Sequence, residues 1–358
     1  MQVSSIPLER KIGMLIMAPL YESYLDDLMG RFYCGSLLSW GGEFGDTSPD
    51  NIPEFCDLMN RVQELSQKHR GMPAWIHGWP HQSIAGRQQG WLERAAANDT
   101  DPDRVEHAAQ LVGRRWRTLG VHNIPEPTLN VPMYDTGILP ETATSPDAET
   151  VRRYGTAFNR GILAGNCGTM PQHFPAHGAT PLDSHDSHPV VDMTIDELWP
   201  DHLRPYQECF DDGCTTICTA HLTLTALDPD NIATTSRAVL TDFLKGTMGF
   251  KGIAIADAVE MKGFQKDGSI AEMVVEAVRA GCDSICTVCI DNVEILFNSL
   301  LDAAQSGEIP GGRLDDAVER NLRFMHWLGI QNGTQVDAKT ARETLRELDT
   351  TPEAKLLR

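Results

Sequence analysis

Short apolar runs of strand length alternate with stretches of helical periodicity along almost the whole chain. The runs predicted to be strands are residues 35–40, 73–78, 121–131, 168–174, 215–222, 252–256 and 282–288. Such runs are typical of parallel strands buried on both faces of a sheet. Between them, apolar residues spaced about 3.6 apart predict helices. These cover residues 51–69, 103–119, 148–164, 194–209, 236–247 and 270–280.

The alternation of strands and helices predicts an α/β fold. The chain has 358 residues, a length that suits a single (β/α)8 TIM-like barrel with one irregular strand besides the seven runs. An open doubly wound sheet is the alternative, but no G-x-G-x-x-G follows a predicted strand, so its dinucleotide-binding form has no support. We expect the barrel to occupy residues 1–335 and a charged helical tail to occupy residues 336–358.

Charge and composition exclude several classes of protein. Fifty acidic residues outnumber thirty basic ones, for a net charge of −20, and no Lys/Arg cluster is visible that could neutralise phosphates, so we expect no nucleic acid partner. No apolar run is long enough to span a membrane, and the first residues lack the features of a signal peptide. The nine cysteines show no paired framework, which favours reduced thiols in a cytoplasm.

Asp257 ends the apolar run of residues 252–256. A carboxylate at the carboxyl end of a barrel strand can face a pocket, and active sites of this fold lie at that end. The alternative is a local one, because Asp is also a good N-cap for a helix that follows a strand.

A long polar connection at residues 171–189 follows another predicted strand. It contains four of the twelve histidines, namely His173, His177, His185 and His188. Asp183 precedes His185 by two residues, so its carboxylate can accept a hydrogen bond from one ring nitrogen and leave the other for proton transfer. The alternative is a turn with a solvated histidine.

Two groups of potential metal ligands are not expected to bind a metal. His173 and His177 have the spacing of two ligands on a helix, but Pro175 and Gly178 disfavour a helix there. Three cysteines with the spacing of iron–sulfur ligands lie in or just after a predicted strand, where buried thiols are the better interpretation; they are Cys282, Cys286 and Cys289. We therefore predict no metal and no cofactor.

Two ordered motifs connect these features. Residues 172–185 read QHFPAHGATPLDSH, and residues 249–261 read GFKGIAIADAVEM, with Ala-His at positions 220 and 221 between them. They resemble the motifs K-H-F-P-G-H-G-D-T-x-x-D-S-H and G-F-x-G-x-x-x-S-D-D-L-x-M of glycoside hydrolase family 3, in particular of its bacterial β-N-acetylhexosaminidase branch. The resemblance extends from residue 10 to residue 330.

The resemblance implies a retaining glycosidase, an O-glycosyl hydrolase. Asp257 matches the nucleophile that forms a covalent glycosyl–enzyme. His185 matches the general acid and base of this branch, and Asp183 matches the carboxylate that stabilises its imidazolium form. Two alternatives remain open: a phosphorylase or transglycosylase that uses the same intermediate, and a sugar-binding homologue without turnover.

The sugar-binding positions depart from the family pattern. The Lys before the histidine is Gln172, the Asp of P-V-L-D-V is Asn130, and the segments that carry two Arg residues correspond to the regions of Trp79 and Glu141. With His173, these are the residues that we expect to contact the substrate. Because Glu cannot replace the bidentate contacts of Arg, the change predicts an atypical glycoside, such as a sugar or cyclitol with a free amine.

Overall fold

A parallel sheet of eight strands forms the centre of the molecule. The computed structural model describes residues 2–39, 51–78, 90–135, 143–265 and 268–357. The strands are β1 Ile16–Pro19, β2 Ser36–Leu38, β3 Trp75–His77, β4 Asn123–Ile124, β5 Gly168–Thr169, β6 Thr216–Thr219, β7 Ile253–Ala256 and β8 Ser284–Cys286. Their order is β5-β4-β3-β2-β1-β8-β7-β6, and all neighbours pair in parallel.

The sheet curves into a nearly closed barrel. Its two end strands, β5 and β6, are joined through the segment that follows β5, where Phe174 forms a parallel bridge with Thr219. The Phe174 N–H donates to the Cys218 carbonyl at 2.8 Å, and the Phe174 carbonyl accepts from the Ala220 N–H at 2.7 Å. The predicted (β/α)8 architecture is therefore confirmed, and an open doubly wound sheet is excluded.

The first strand was missing from the prediction. The apolar stretch that contains it begins in the helix Leu8–Met14 and continues into Ile16–Pro19, so two elements share one run of apolar residues. Periodicity cannot separate a short buried strand from a helix end in such a run. All seven predicted strands are present, although most are shorter than the apolar runs that indicated them.

Helices surround the barrel. Within the described ranges the α-helices are Leu8–Met14, Leu25–Gly30, Ile52–Arg70, Trp91–Ala97, Pro102–Thr118, Ala148–Ala164, Ile195–Leu198, Arg204–Asp211, Ile270–Ala280, Asn292–Ser306, Gly311–Trp327 and Ala338–Asp349. Wider helical turns occupy Trp199–Leu203 and Ala238–Thr247, and a small parallel ribbon pairs Val190–Val191 with Thr223–Leu224. None of these helices combines the length and the apolar character needed to cross a bilayer.

The last described α-helix packs against the outside of the barrel. Ala341, Leu345 and Leu348 are buried on one face of Ala338–Asp349, which is the amphipathic arrangement that holds a surface helix in place. Asp349 at its end forms an ion pair with the buried Arg115 of the helix Pro102–Thr118. The tail is thus a docked surface helix over these residues, and the division at residue 335 stays a prediction.

Candidate active site

Asp257 lies at the carboxyl mouth of the barrel, immediately after β7. Its backbone N–H donates to the Thr219 carbonyl at 3.4 Å, and its Oδ1 accepts from the Ala258 N–H at 2.8 Å. The residues that follow, 258–265, form turns rather than an α-helix, so the helix-cap interpretation of Asp257 is wrong. The side chain is 23% exposed, which leaves the carboxylate accessible from the mouth.

His173 faces this carboxylate from the segment after β5. Its Nε2 lies 3.8 Å from Asp257 Oδ2, and its Nδ1 lies 3.0 Å from Asn130 Nδ2. The backbone N–H of His173 also donates to Asn130 Oδ1 at 3.0 Å. Burial lowers the pKa of His173 more than the nearby Asp257 carboxylate raises it, so the ring is neutral.

Gln172 lies beside His173 but is turned toward the segment after β4. Its side-chain Nε2 donates to Thr128 Oγ1 at 3.3 Å, and its backbone carbonyl accepts from the Leu129 N–H at 2.8 Å. The structure therefore brings Gln172, His173 and Asn130 together at one side of the barrel mouth. The other two expected substrate contacts, Trp79 and Glu141, lie outside the described residues.

Asp183 and His185 form a hydrogen-bonded pair on the connection after β5. Asp183 Oδ1 accepts from His185 Nδ1 at 2.7 Å and from the His185 backbone N–H at 2.8 Å. Because a carboxylate only accepts, Nδ1 carries the proton and Nε2 is left to exchange one. Partial burial alone would raise the pKa of Asp183, but the two hydrogen bonds from His185 and its ring lower the pKa overall.

The connection that carries this pair docks on the turns that follow Asp257. The Gly263 N–H donates to the Ser184 carbonyl at 2.9 Å, and the Lys262 N–H donates to the His185 carbonyl at 3.3 Å. A Cβ on Gly263 would lie 2.8 Å from the His221 carbonyl oxygen and 3.0 Å from that of Ser184. Only glycine allows this close approach of the two loops, so both potential catalytic segments are held at the same mouth.

Two buried histidines support the site, although sequence reasoning assigned them no role. His177 Nε2 bonds Ser184 Oγ at 2.7 Å, and burial, aided by His173, lowers the pKa of His177 to about 4. His221 Nε2 donates to the Ala258 carbonyl at 3.2 Å, which holds the residue after Asp257. Both lie in or beside the motifs described above. Sequence reasoning missed them because a motif does not show which of its histidines are buried.

One group of potential metal ligands exists among the described residues. Atoms of His173, Cys218 and Asp257 lie within 4.8 Å of one another. Metal ligands must be deprotonated, yet burial and the Asp257 carboxylate raise the pKa of Cys218 well above its usual value. A thiol that keeps its proton is a poor metal ligand, so this donor set disfavours a metal ion.

The sequence profile of the "Glycosyl hydrolase family 3 N terminal domain" matches residues 60–324. This is most of the chain. The chain belongs to glycosyl hydrolase family 3. The resemblance inferred from the two motifs is thereby confirmed, and the mouth of this family 3 barrel is its candidate active site.

This family 3 chain is similar to known proteins in sequence or in fold. A "Beta-N-acetylglucosaminidase/beta-glucosidase" from Cellulomonas fimi is 27% identical over 286 residues, which cover 76% of this chain but 50% of that protein. A solved family 3 beta-N-acetylglucosaminidase from Paenibacillus sp. str. FPU-7 superposes with a TM-score of 0.84 at 24% identity, over 96% of this chain and 68% of that one. A solved beta-glucoside phosphorylase, BglX, superposes with a TM-score of 0.82 at 21% identity, over 99% and 64%. The chain thus spans half the length of the Cellulomonas relative.

Proposed function

We propose that this family 3 chain is a retaining glycosidase in which Asp257 is the nucleophile and His185, paired with Asp183, is the general acid and base. The observation that carries the proposal is the docking of the two segments. The Asp183–His185 hydrogen bond lies on a loop whose backbone is bonded to the turns after Asp257. A nucleophile and a proton donor at one barrel mouth are the two groups that this reaction needs.

In the first step, a carboxylate oxygen of Asp257 attacks the anomeric carbon and forms a C–O bond. The bond to the aglycone oxygen breaks, and His185 in its imidazolium form transfers the Nε2 proton to that oxygen. The Asp183 carboxylate accepts from Nδ1–H throughout and stabilises the cationic ring. In the second step, neutral His185 takes a proton from water as the water oxygen attacks the anomeric carbon. Asp257 is released, and two inversions retain the configuration.

The substrate is proposed to be an atypical glycoside of an amino sugar or cyclitol. The amide of Gln172 stands where the family motif has a Lys, and it is engaged with Thr128. Asn130 is likewise engaged with His173. Since the carboxylates of Asp257 and Asp183 both lie at the described part of the mouth, a substrate with a cationic amine suits them better than an anionic one.

A phosphorylase is the second candidate. A neutral or cationic histidine as acid/base repels an incoming phosphate less than a carboxylate would, and His185 is 57% exposed to an incoming acceptor. The similarity to a solved beta-glucoside phosphorylase also supports this candidate. In that reaction a phosphate oxygen, instead of water, attacks the glycosyl–enzyme and leaves as a glycosyl phosphate.

Covalent labelling tests the proposal. The protein is incubated with activated 2-deoxy-2-fluoro glycosides and with activated 2-amino and 2-acetamido glycosides, and its mass and labelled peptide are then measured. We expect an adduct on Asp257 that is absent in Asp257→Asn. Failure of the whole panel to label the protein or to be turned over would contradict catalysis and favour a sugar-binding homologue. Turnover that requires added phosphate would favour the phosphorylase.

We also propose a cytoplasmic location. All nine cysteines are free thiols, and all except Cys289 are buried. Unpaired thiols are typical of reducing compartments, because proteins of oxidising compartments tend to pair them. Fractionation of cells that produce the protein at its native level tests this location.

A further inference from the structure

The orientation of the Asn130 side-chain amide is determined by the backbone of His173. The His173 N–H can only donate, and it points at one end of the amide at 3.0 Å. That end must therefore be the oxygen, Oδ1, and the other end must be the NH₂ group. The NH₂ group is the end that lies 3.0 Å from His173 Nδ1.

This orientation determines where the His173 ring carries its proton. Because the Asn130 NH₂ group donates, Nδ1 must accept and has no proton, so the neutral ring carries its proton on Nε2. An imidazolium ring would place two N–H groups against each other at this contact, so the cation is disfavoured by geometry. Burial of the ring acts in the same direction, since it lowers the pKa of His173.

We propose that Asn130 is a positioning residue that holds His173 in the neutral Nε2–H form, as a permanent hydrogen-bond donor beside Asp257. The tautomer follows from the contacts alone, whereas its catalytic role rests on the proposed function.

The proton on Nε2 defines what the site can bind. The 3.8 Å between His173 Nε2 and Asp257 Oδ2 is too long for a direct hydrogen bond. A hydroxyl group of the bound glycone fits this pair of atoms, because it can accept from Nε2–H and donate to Oδ2 at once. Such a hydroxyl would orient the nucleophile, and hydrogen bonds of this kind strengthen in glycosidase transition states. A substituent that cannot accept a hydrogen bond at this position would be rejected.

The substitution Asn130→Asp tests the tautomer with almost no change of shape. One carboxylate oxygen still accepts from the His173 N–H, but the other can only accept, so the ring must donate from Nδ1. Long-range ¹H–¹⁵N correlation spectra of ¹⁵N-histidine protein distinguish the two tautomers, and the spectrum of His173→Gln assigns the signals. In the native protein we expect Nε2–H at neutral pH, and in Asn130→Asp we expect Nδ1–H and a ring that becomes imidazolium at a higher pH than the native ring does.

Several results would overturn the proposal. They are an Nδ1–H form of His173 in the native protein, a native ring that becomes imidazolium at the same pH as in Asn130→Asp, and an unchanged tautomer in Asn130→Asp. If Asn130→Asp fails to fold, the spectrum of the native protein still decides. Asn130→Ser, in which the fixed amide is lost, should then show both tautomers. Asn98→Asp, an exposed residue outside the site, is the matched control for the added charge and should leave the spectrum unchanged.

The catalytic consequence has a separate readout. In Asn130→Asp we expect kcat/KM to fall at least about tenfold, with an additional ionisation in its pH profile that the native enzyme lacks. An unchanged pH profile would contradict the positioning role. The spectra need no substrate, so absence of turnover in the native protein would count against the proposed function and leave the tautomer intact.

Discussion

The two sides of the barrel mouth are built differently. On the side of Asp257, the proposed nucleophile, the carboxylate follows a barrel strand directly. The rings of His173 and His221 are each hydrogen-bonded there; His221 is buried, and the His173 side chain is 22% exposed. On the other side, His185 lies on a connection and is 57% exposed. The nucleophile must meet the anomeric carbon at a fixed position, whereas a proton donor on a loop can arrive with the substrate. A more buried half and a more exposed half thus share one site.

The two halves meet at a small number of contacts. Gly263 and Lys262 bond the backbone of the Asp183–His185 loop, and His177 bonds the Ser184 hydroxyl. These contacts position the acid/base relative to Asp257 without burying it. The following substitutions separate the contributions of the two halves and of the contacts between them.

The largest effect is expected at the nucleophile. Asp257→Asn removes the attacking charge while keeping the shape, so kcat/KM should fall about 10⁵-fold, or about 7 kcal/mol. The loss should be similar for substrates with good and poor leaving groups, because both need the covalent intermediate. Steady-state kinetics with an aryl and an alkyl glycoside measure it. Residual activity near the native level would show that Asp257 is not the nucleophile.

Unlike Asp257→Asn, His185→Ala should slow substrates to different extents according to their leaving groups. Loss of the general acid should slow substrates with poor leaving groups about 10²- to 10³-fold, and activated aryl glycosides far less in the first step. The slope of log kcat/KM against leaving-group pKa is the measurement. Equal slowing of both substrate types would contradict the role of His185, and added azide should restore part of the second step by attacking the intermediate.

Gly263→Ala tests the contact between the halves. The new Cβ would approach two backbone oxygens, at 2.8 and 3.0 Å, and must push the His185 loop away. We expect a loss of about 1–3 kcal/mol in the free energy of unfolding and about a tenfold loss of kcat that is largest for poor leaving groups. Gly312→Ala, whose Cβ would meet no atom within 4 Å, is the control. A destabilised variant with native kcat would show that the contact is only structural.

The sequence allowed the barrel and the residues at strand ends to be predicted, because both depend on local patterns. Strand–helix alternation indicated the fold, Asp257 stands where one apolar run ends, and the Asp183–His185 pair lies on the polar connection that follows another. The predicted strand over residues 121–131 shrank to Asn123–Ile124 because the chain then turns along the mouth, where Thr128 bridges Gln172. An apolar run does not show where pairing stops.

Relations between distant residues could not be predicted. Asn130 and His173 are 43 residues apart, and their contact depends on how β4 and β5 lie side by side. The supporting roles of His177 and His221 depend on burial, which the letters of a motif do not show. Sequence therefore indicated the proposed reacting groups, whereas the protonation states of the rings around them required the three-dimensional contacts.

The smallest effect concerns pH and the contact made by His177. Burial holds the pKa of His177 at about 4, below its ordinary value of 6.5, so the unfolded chain takes up a proton before the folded protein does. This contribution to stability is complete above pH 6.5 and is lost as the pH falls toward 4. Lowering the pH from 7 to 5.5 should therefore reduce the free energy of unfolding by about 1 kcal/mol through His177. His177→Gln keeps a polar partner for Ser184 but cannot titrate, so urea unfolding should show a fall with pH smaller by that amount. An identical fall in both proteins would mean that another buried group, such as His77 with its pKa lowered by burial to about 3, carries the acid sensitivity instead.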